Sequence, residues 1–188
     1  AAVLSALSEK LPPYLRAAVR KRVKRGDCFM GRERKRGAVE DYANFLYGGC
    51  DNDFSRLFNF DGFEKPKYFI TLDADSVLQP KGVLRAVNVF SHEENEKYDL
   101  LAFDGKTNAF SLKTAYARLF HGGDGYEIYP AYSNLFYNLT GKSIFTGKGI
   151  FNLERYVEKL SGVLPENRVL SHDIIEGAIL NTGASGVP

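Results

Sequence analysis

The run Lys67-Tyr68-Phe69-Ile70-Thr71-Leu72 constrains the fold more than any other stretch of this sequence. It is β-branched and aromatic, too short for a helix and nearly continuous in hydrophobicity, which is the pattern of a buried parallel strand. It stops at Asp73. Pro80 then opens a helix expected to reach Ser91, with Val83, Leu84, Val87 and Phe90 facing inward. The charged turn Glu93-Glu94-Asn95-Glu96 separates that helix from a second strand, Tyr98 to Phe103. Strand, acid, helix, strand is a βαβ unit, and ligands of such sheets gather at the carboxyl ends of the strands. The expected class is therefore α/β, with Asp73 on the ligand-binding edge.

A chain of 188 residues that is 44% hydrophobic and 26% charged can bury a substantial core, which excludes disorder, collagen and coiled coil. Fourteen Phe and eleven Tyr predict an aromatic interior or pocket. No stretch approaches the roughly 20 apolar residues that span a bilayer, and Ala1 to Lys10 lacks the pattern of a signal peptide. Two cysteines, Cys28 and Cys50, make neither a disulfide scaffold nor a four-ligand zinc site, as expected of a reducing compartment. Charge divides the chain unevenly. Residues 1–40 hold eleven Lys/Arg against four Asp/Glu, and residues 41–188 hold fourteen against nineteen. The excess of positive charge suits nucleic acid, an anionic membrane surface or a phosphate-bearing ligand, or is simply a solvated helix face. Residues 1–30 read as a basic helical lead-in, interrupted at Leu11-Pro12-Pro13, helical again from Tyr14 and ended after Arg25 by Gly26. Residues 31–188 form the main domain. Its first helix, Glu33 to Leu46, turns Val39, Tyr42, Ala43 and Leu46 to one face and ends at Gly48-Gly49.

Three groups of residues carry chemistry. Asp73 and Asp75 alternate on leaving the strand, so both carboxylates reach one hard cation, although a turn cap would use the same residues. In Phe145-Thr146-Gly147-Lys148-Gly149-Ile150, two glycines let backbone approach a ligand while the lysine meets an anionic oxygen. The plain alternative is a turn with an exposed lysine, and Ser143 and Gly149 rule out a Walker A loop. In Leu170-Ser171-His172-Asp173-Ile174-Ile175-Glu176-Gly177, Ser171 is the expected N-cap, and Asp173 and Glu176 share a face in the first turn. That arrangement serves a general base with an orienting partner, or ordinary helix design. His92 and His121 are given no role.

Four segments together resemble, in order and spacing, the glycosyltransferase domain of cyclic β-1,2-glucan synthases, glycosyltransferase family 84. They are Gly31-Arg32-Glu33-Arg34-Lys35-Arg36-Gly37, Leu72-Asp73-Ala74-Asp75, Phe145 to Ile150 and Leu170 to Gly177. The resemblance covers approximately Gly31 to Gly183. It implies a GT-A type, Rossmann-like mixed sheet flanked by helices, and inverting transfer of glucose from UDP-glucose to a growing β-1,2-glucan. It also implies Asp73 and Asp75 as ligands of Mg²⁺ or Mn²⁺, with Asp73 near the donor. Asp173 matches the catalytic base, Glu176 supports it and His172 orients it. Gly147, Lys148 and Gly149 would line the donor or acceptor cleft, and Arg34 and Arg36 would meet the donor diphosphate or the membrane surface.

Ser76 stands where relatives often carry Thr, and Gly141-Lys142-Ser143-Ile144 replaces a smaller, more acidic stretch. The uridine-cradling strands expected before Gly31 and the Gln/Arg/Trp segment expected after the base are missing, and the chain has no Trp. The resemblance therefore implies an incomplete piece of a larger multidomain enzyme. That enzyme is anchored in the membrane through its other parts and works at the cytoplasmic face of the inner membrane, and the piece itself is soluble, with no nucleic-acid partner. Three alternatives remain open, one being that the piece is only a folded, inactive part of its parent. Phe69 to Leu78 also resembles the opening motif of haloacid dehalogenase-type phosphatases, with Asp73 as nucleophile, Asp75 as acid, and Thr146, Lys148 and Asp173 as later motifs. Lys21 to Arg36 could instead be a nucleic-acid-binding module, although Phe29 is the one aromatic within it.

Overall fold

The computed structural model describes residues 22–25, 28–31, 33–48, 65–73, 76–103, 135–166, 168–169 and 172–186. The first described element corrects an expectation: Arg22–Arg25 (β1) is a strand rather than the end of a helix, and it pairs antiparallel with Cys28–Gly31 (β2). Arg25 faces Cys28 across the pair, so only Gly26 and Asp27 separate the strands in sequence. Gly-Asp is a two-residue hairpin signal in the sequence, and the register sets Val23 opposite Met30. Local hairpin chemistry outweighs the helical propensity of the surrounding Lys and Arg.

Helix α1 spans Arg34–Gly48 and buries Arg36, Gly37, Ala43 and Leu46, with Val39 packed against the same core. Tyr42, expected inward, is 38% exposed. A four-stranded sheet follows, built from Tyr68–Thr71 (β3), Leu100–Ala102 (β4), Gly149–Asn152 (β5) and Thr182–Ala184 (β6) in the order β3-β5-β4-β6. The sheet is mixed: β5 runs antiparallel to both β3 and β4, and β6 lies parallel to β4. The chain is thus α/β, as expected. The expected parallel neighbour of β3 is nevertheless replaced by β5, and β3 is an edge strand of the described sheet. An apolar run states that a strand is buried and leaves its partner open.

Alternate residues of each strand enter two cores. Phe69, Leu100, Ala102 and Phe151 face α1 and helix α3 (Leu153–Leu160), whereas Ile70, Leu101 and Ile150 face helix α2 (Gly82–Phe90). The result is three layers with helix on both faces of the sheet. Phe69 and Phe151 stack at 4.9 Å, and Tyr156 of α3 meets each of them edge-on. Helix α2 turns Ala86 and Phe90 inward, with Val87 and Val89 beside them, and leaves Val83 and Leu84 exposed, contrary to expectation. A helix apolar on most sides offers more than one inward stripe. Here Gly82, Ala86 and Phe90 are the buried positions.

Candidate functional site

The register of β3 against β5 builds the site. Thr71 pairs with Gly149, so the segment just before β5 lies beside the carboxyl end of β3, and Gly147 and Lys148 come to Asp73. The last member, helix α4 (Asp173–Ile179), packs through Gly177 directly on Phe145. A Cβ on Gly177 would stand 2.8 Å from Phe145 Cβ. That close approach swings the first turn of α4 over Gly147. One small cleft is lined by Lys35, Val39, Thr71, Phe145, Gly147, Phe151, His172, Asp173 and Glu176.

Polar contacts knit the cleft together. Lys35 Nζ donates to Asp73 Oδ1 at 2.6 Å and to the Gly147 carbonyl at 2.6 Å, and Thr71 Oγ1 donates to the same carbonyl at 3.2 Å. Lys148 Nζ stands 3.7 Å from the other oxygen of Asp73. Gly147 has φ +92°, a conformation that L side chains avoid. Its missing Cβ would lie 3.2 Å from both carboxylate oxygens of Asp173 and from Lys35 Nζ. At the other end, His172 Nδ1 is 3.2 Å from Glu176 Oε1 and 3.6 Å from Asp173 Oδ1, and it is buried without a hydrogen bond. These three side chains offer ligand atoms within 4.8 Å of one another, close enough for one metal ion. Glu176 is 4% exposed, and its carboxylate helps hold the Tyr156 hydroxyl above its ordinary pKa. Burial is the larger cause there, Glu40 adds to it and Arg36 opposes it.

Gly147, His172, Asp173 and Glu176 therefore line one cleft, and Asp73 is joined to it through Lys35, with Lys148 beside Asp73. Gly149 belongs to β5 instead: its Cβ direction points at the Leu101 carbonyl, 2.6 Å away, and the residue serves strand packing. Arg34 is exposed at the start of α1. Arg36 is buried, with its guanidinium committed to Glu33 at 2.7 Å and to Glu40 at 3.5 Å. Asp75 and Ser171 lie outside the described residues, so of the two acids after β3 only Asp73 has a described geometry. The cap position of α4 is His172, which makes no side-chain capping bond.

Sequence reasoning passed over Lys35 and Thr71 as site residues. A signal for Lys35 existed, because it lies one helical turn before Val39, which already reads as core-facing, whereas Arg34 points elsewhere. Thr71 needed the register, since its hydroxyl is useful only where Gly147 lies beside it.

No protein-family model matches the chain. Over 165 residues, 80% of this chain, it is 30% identical to the cyclic beta-(1,2)-glucan synthase NdvB of Rhizobium meliloti (strain 1021). The chain spans 6% of the length of that protein. The identity supports a relation between this chain and that enzyme.

Proposed function

We propose that the chain forms part of a GT-A type glycosyltransferase domain of the family 84 kind, transferring glucose with inversion from UDP-glucose to a growing β-1,2-glucan. The observation that carries this reading is that Asp173 and Lys35 both come up to Gly147 while Lys35 is hydrogen-bonded to Asp73, which links motifs a hundred residues apart. The similarity to a glucan synthase adds to it. In a single displacement, Asp173 takes the proton of an acceptor hydroxyl as its oxygen bonds to the anomeric carbon. The bond from that carbon to the diphosphate breaks and its electron pair leaves with UDP. No covalent intermediate is needed, so the anomeric configuration inverts.

Glu176 and His172 orient the base from behind, and Lys148 offers positive charge near Asp73 to a departing diphosphate. Asp73 is a hard carboxylate, 39% exposed, whose oxygens face Lys35 Nζ at 2.6 Å and Lys148 Nζ at 3.7 Å, so a divalent ion there would take the place of these ammonium groups. With Asp75 it would hold Mg²⁺ or Mn²⁺, which when bound supplies charge neutralisation on the diphosphate. Arg34, exposed, is the basic residue of this pair open to the donor or to an anionic membrane surface. The working context is a longer, membrane-associated chain acting at the cytoplasmic face. No helix among the described residues is long and apolar enough to cross a membrane.

Asp173→Asn in the full-length protein tests the reading, because the amide keeps the shape and cannot accept the proton. Glucosyl transfer from UDP-glucose should fall by about two to four orders of magnitude while UDP affinity stays within about twofold. Turnover equal to wild type would remove Asp173 from the mechanism and turn attention to Glu176.

A further inference from the structure

Lys35 and Asp173 do not form an ion pair with one another, yet both reach the same small space over Gly147. The point where a Gly147 Cβ would sit is 3.2 Å from both Asp173 oxygens and 3.2 Å from Lys35 Nζ. An ammonium has three N–H donors. Two of those of Lys35 are used, by Asp73 Oδ1 and the Gly147 carbonyl, and the third has no acceptor among the described residues. The Asp173 carboxylate accepts no hydrogen bond among them either; His172 Nδ1 stands 3.6 Å from it and the Glu176 carboxylate within 4.8 Å. A free donor and a free acceptor thus line one narrow slot beside Gly147. A hydroxyl that enters the slot clear of Gly147 Cα can give its hydrogen to the carboxylate and take one from the ammonium, bonds that ordinarily span about 2.7–3.0 Å.

We propose that Lys35 and Asp173, spaced by Gly147, form the subsite that binds the attacking hydroxyl of the sugar acceptor. Lys35 binds the oxygen and aims one of its lone pairs, while Asp173 holds the hydrogen it will remove. Lys35 is itself fixed by Asp73, so the same ammonium ties the acceptor hydroxyl to the strand end where the donor is expected. The proposal rests on the reading of Asp173 as the base.

The test uses the full-length protein, with UDP present and a linear β-1,2-linked gluco-oligosaccharide as the probe, titrated by calorimetry. Lys35→Met should weaken oligosaccharide binding at least about tenfold, about 1.4 kcal/mol, while UDP affinity changes by less than about twofold. Gly147→Ala, which places a methyl in the slot, should weaken the oligosaccharide similarly with UDP binding retained. Unchanged oligosaccharide affinity in Lys35→Met overturns the proposal. So does a parallel loss of UDP and oligosaccharide binding in both variants, which would mark Lys35 as a structural tie between Asp73 and Gly147. If Asp173→Asn keeps wild-type transfer, the base assignment falls and the subsite with it. If that variant loses transfer while Lys35→Met binds the oligosaccharide normally, the subsite alone fails.

Discussion

Asp99 shows what a single buried charge does in this chain. It is 2% exposed at the head of β4, and its Oδ2 accepts from Lys159 Nζ at 2.6 Å and from the Asn181 backbone N–H at 2.8 Å, with Arg155 3.6 Å from the other oxygen. One carboxylate thereby joins β4, α3 and the turn between α4 and β6. Removing it leaves a backbone donor without its partner in the interior, so Asp99→Ala should cost about 2 kcal/mol of stability, read from the urea midpoint. Lys159 is 45% exposed and water replaces it readily, so Lys159→Met should cost less than about 1 kcal/mol. In sequence Asp99 is one acid before an apolar triplet. Nothing there separates it from Asp73, which ends a similar run and faces a cleft; the distinction lies in what the fold packs against each.

At the scale of elements, glycines in strands set how closely neighbours approach. A Cβ on Gly149 would stand 2.6 Å from the Leu101 carbonyl, which is backbone, whereas one on Gly183 would meet the side chains of Leu101 and Tyr98 at 2.7 Å. Side chains yield more easily than a paired strand. Both Gly149→Ala and Gly183→Ala should destabilise, by about 1–3 kcal/mol, with Gly149→Ala the worse of the two in urea unfolding. Helix α1 has its own lesson. Its Arg34-Lys35-Arg36 run reads as one basic cluster, and helical geometry sends the three to different fates: solvent, the cleft and the interior. A rotation of about 100° per residue is enough to split them, and the core position of Val39 fixes which goes where.

For the whole molecule, buried tyrosines make alkali the vulnerable direction. Burial, then the Tyr137 hydrogen bond and charge, push the Tyr98 hydroxyl from 10.0 up to about 12, where it donates to the Gly141 carbonyl at 3.1 Å. Tyr156 is raised too, by burial first and then by the carboxylates of Glu176 and Glu40. The folded chain keeps these protons where the unfolded chain has lost them. Their stabilising effect is therefore complete below pH 10 and is lost as pH climbs through the folded value. Urea stability should fall between about pH 10 and about pH 12, and Tyr98→Phe should flatten that slope; an equal slope in the variant would remove Tyr98 as a cause.

Much of this architecture is local chemistry and was legible from the sequence. The β-branched run of β3, the helix after Pro80 and the acid-led helix at Asp173 each follow from propensity and periodicity acting over a few residues. The members of the cleft were legible as motifs for the same reason, since Gly147, Lys148 and the acids are unusual in their places. The order β3-β5-β4-β6 was not, because hydrophobicity carries no label for the partner strand, and an antiparallel β5 satisfies an apolar edge as well as a parallel neighbour would. That register alone lays Gly147 beside Asp73. The packing of Gly177 on Phe145 then brings Asp173 over it. The selection of Lys35 over Arg34 and Arg36 belongs to the tertiary structure as well, because it depends on contacts between residues 38 and 112 positions apart, distances over which no local rule acts.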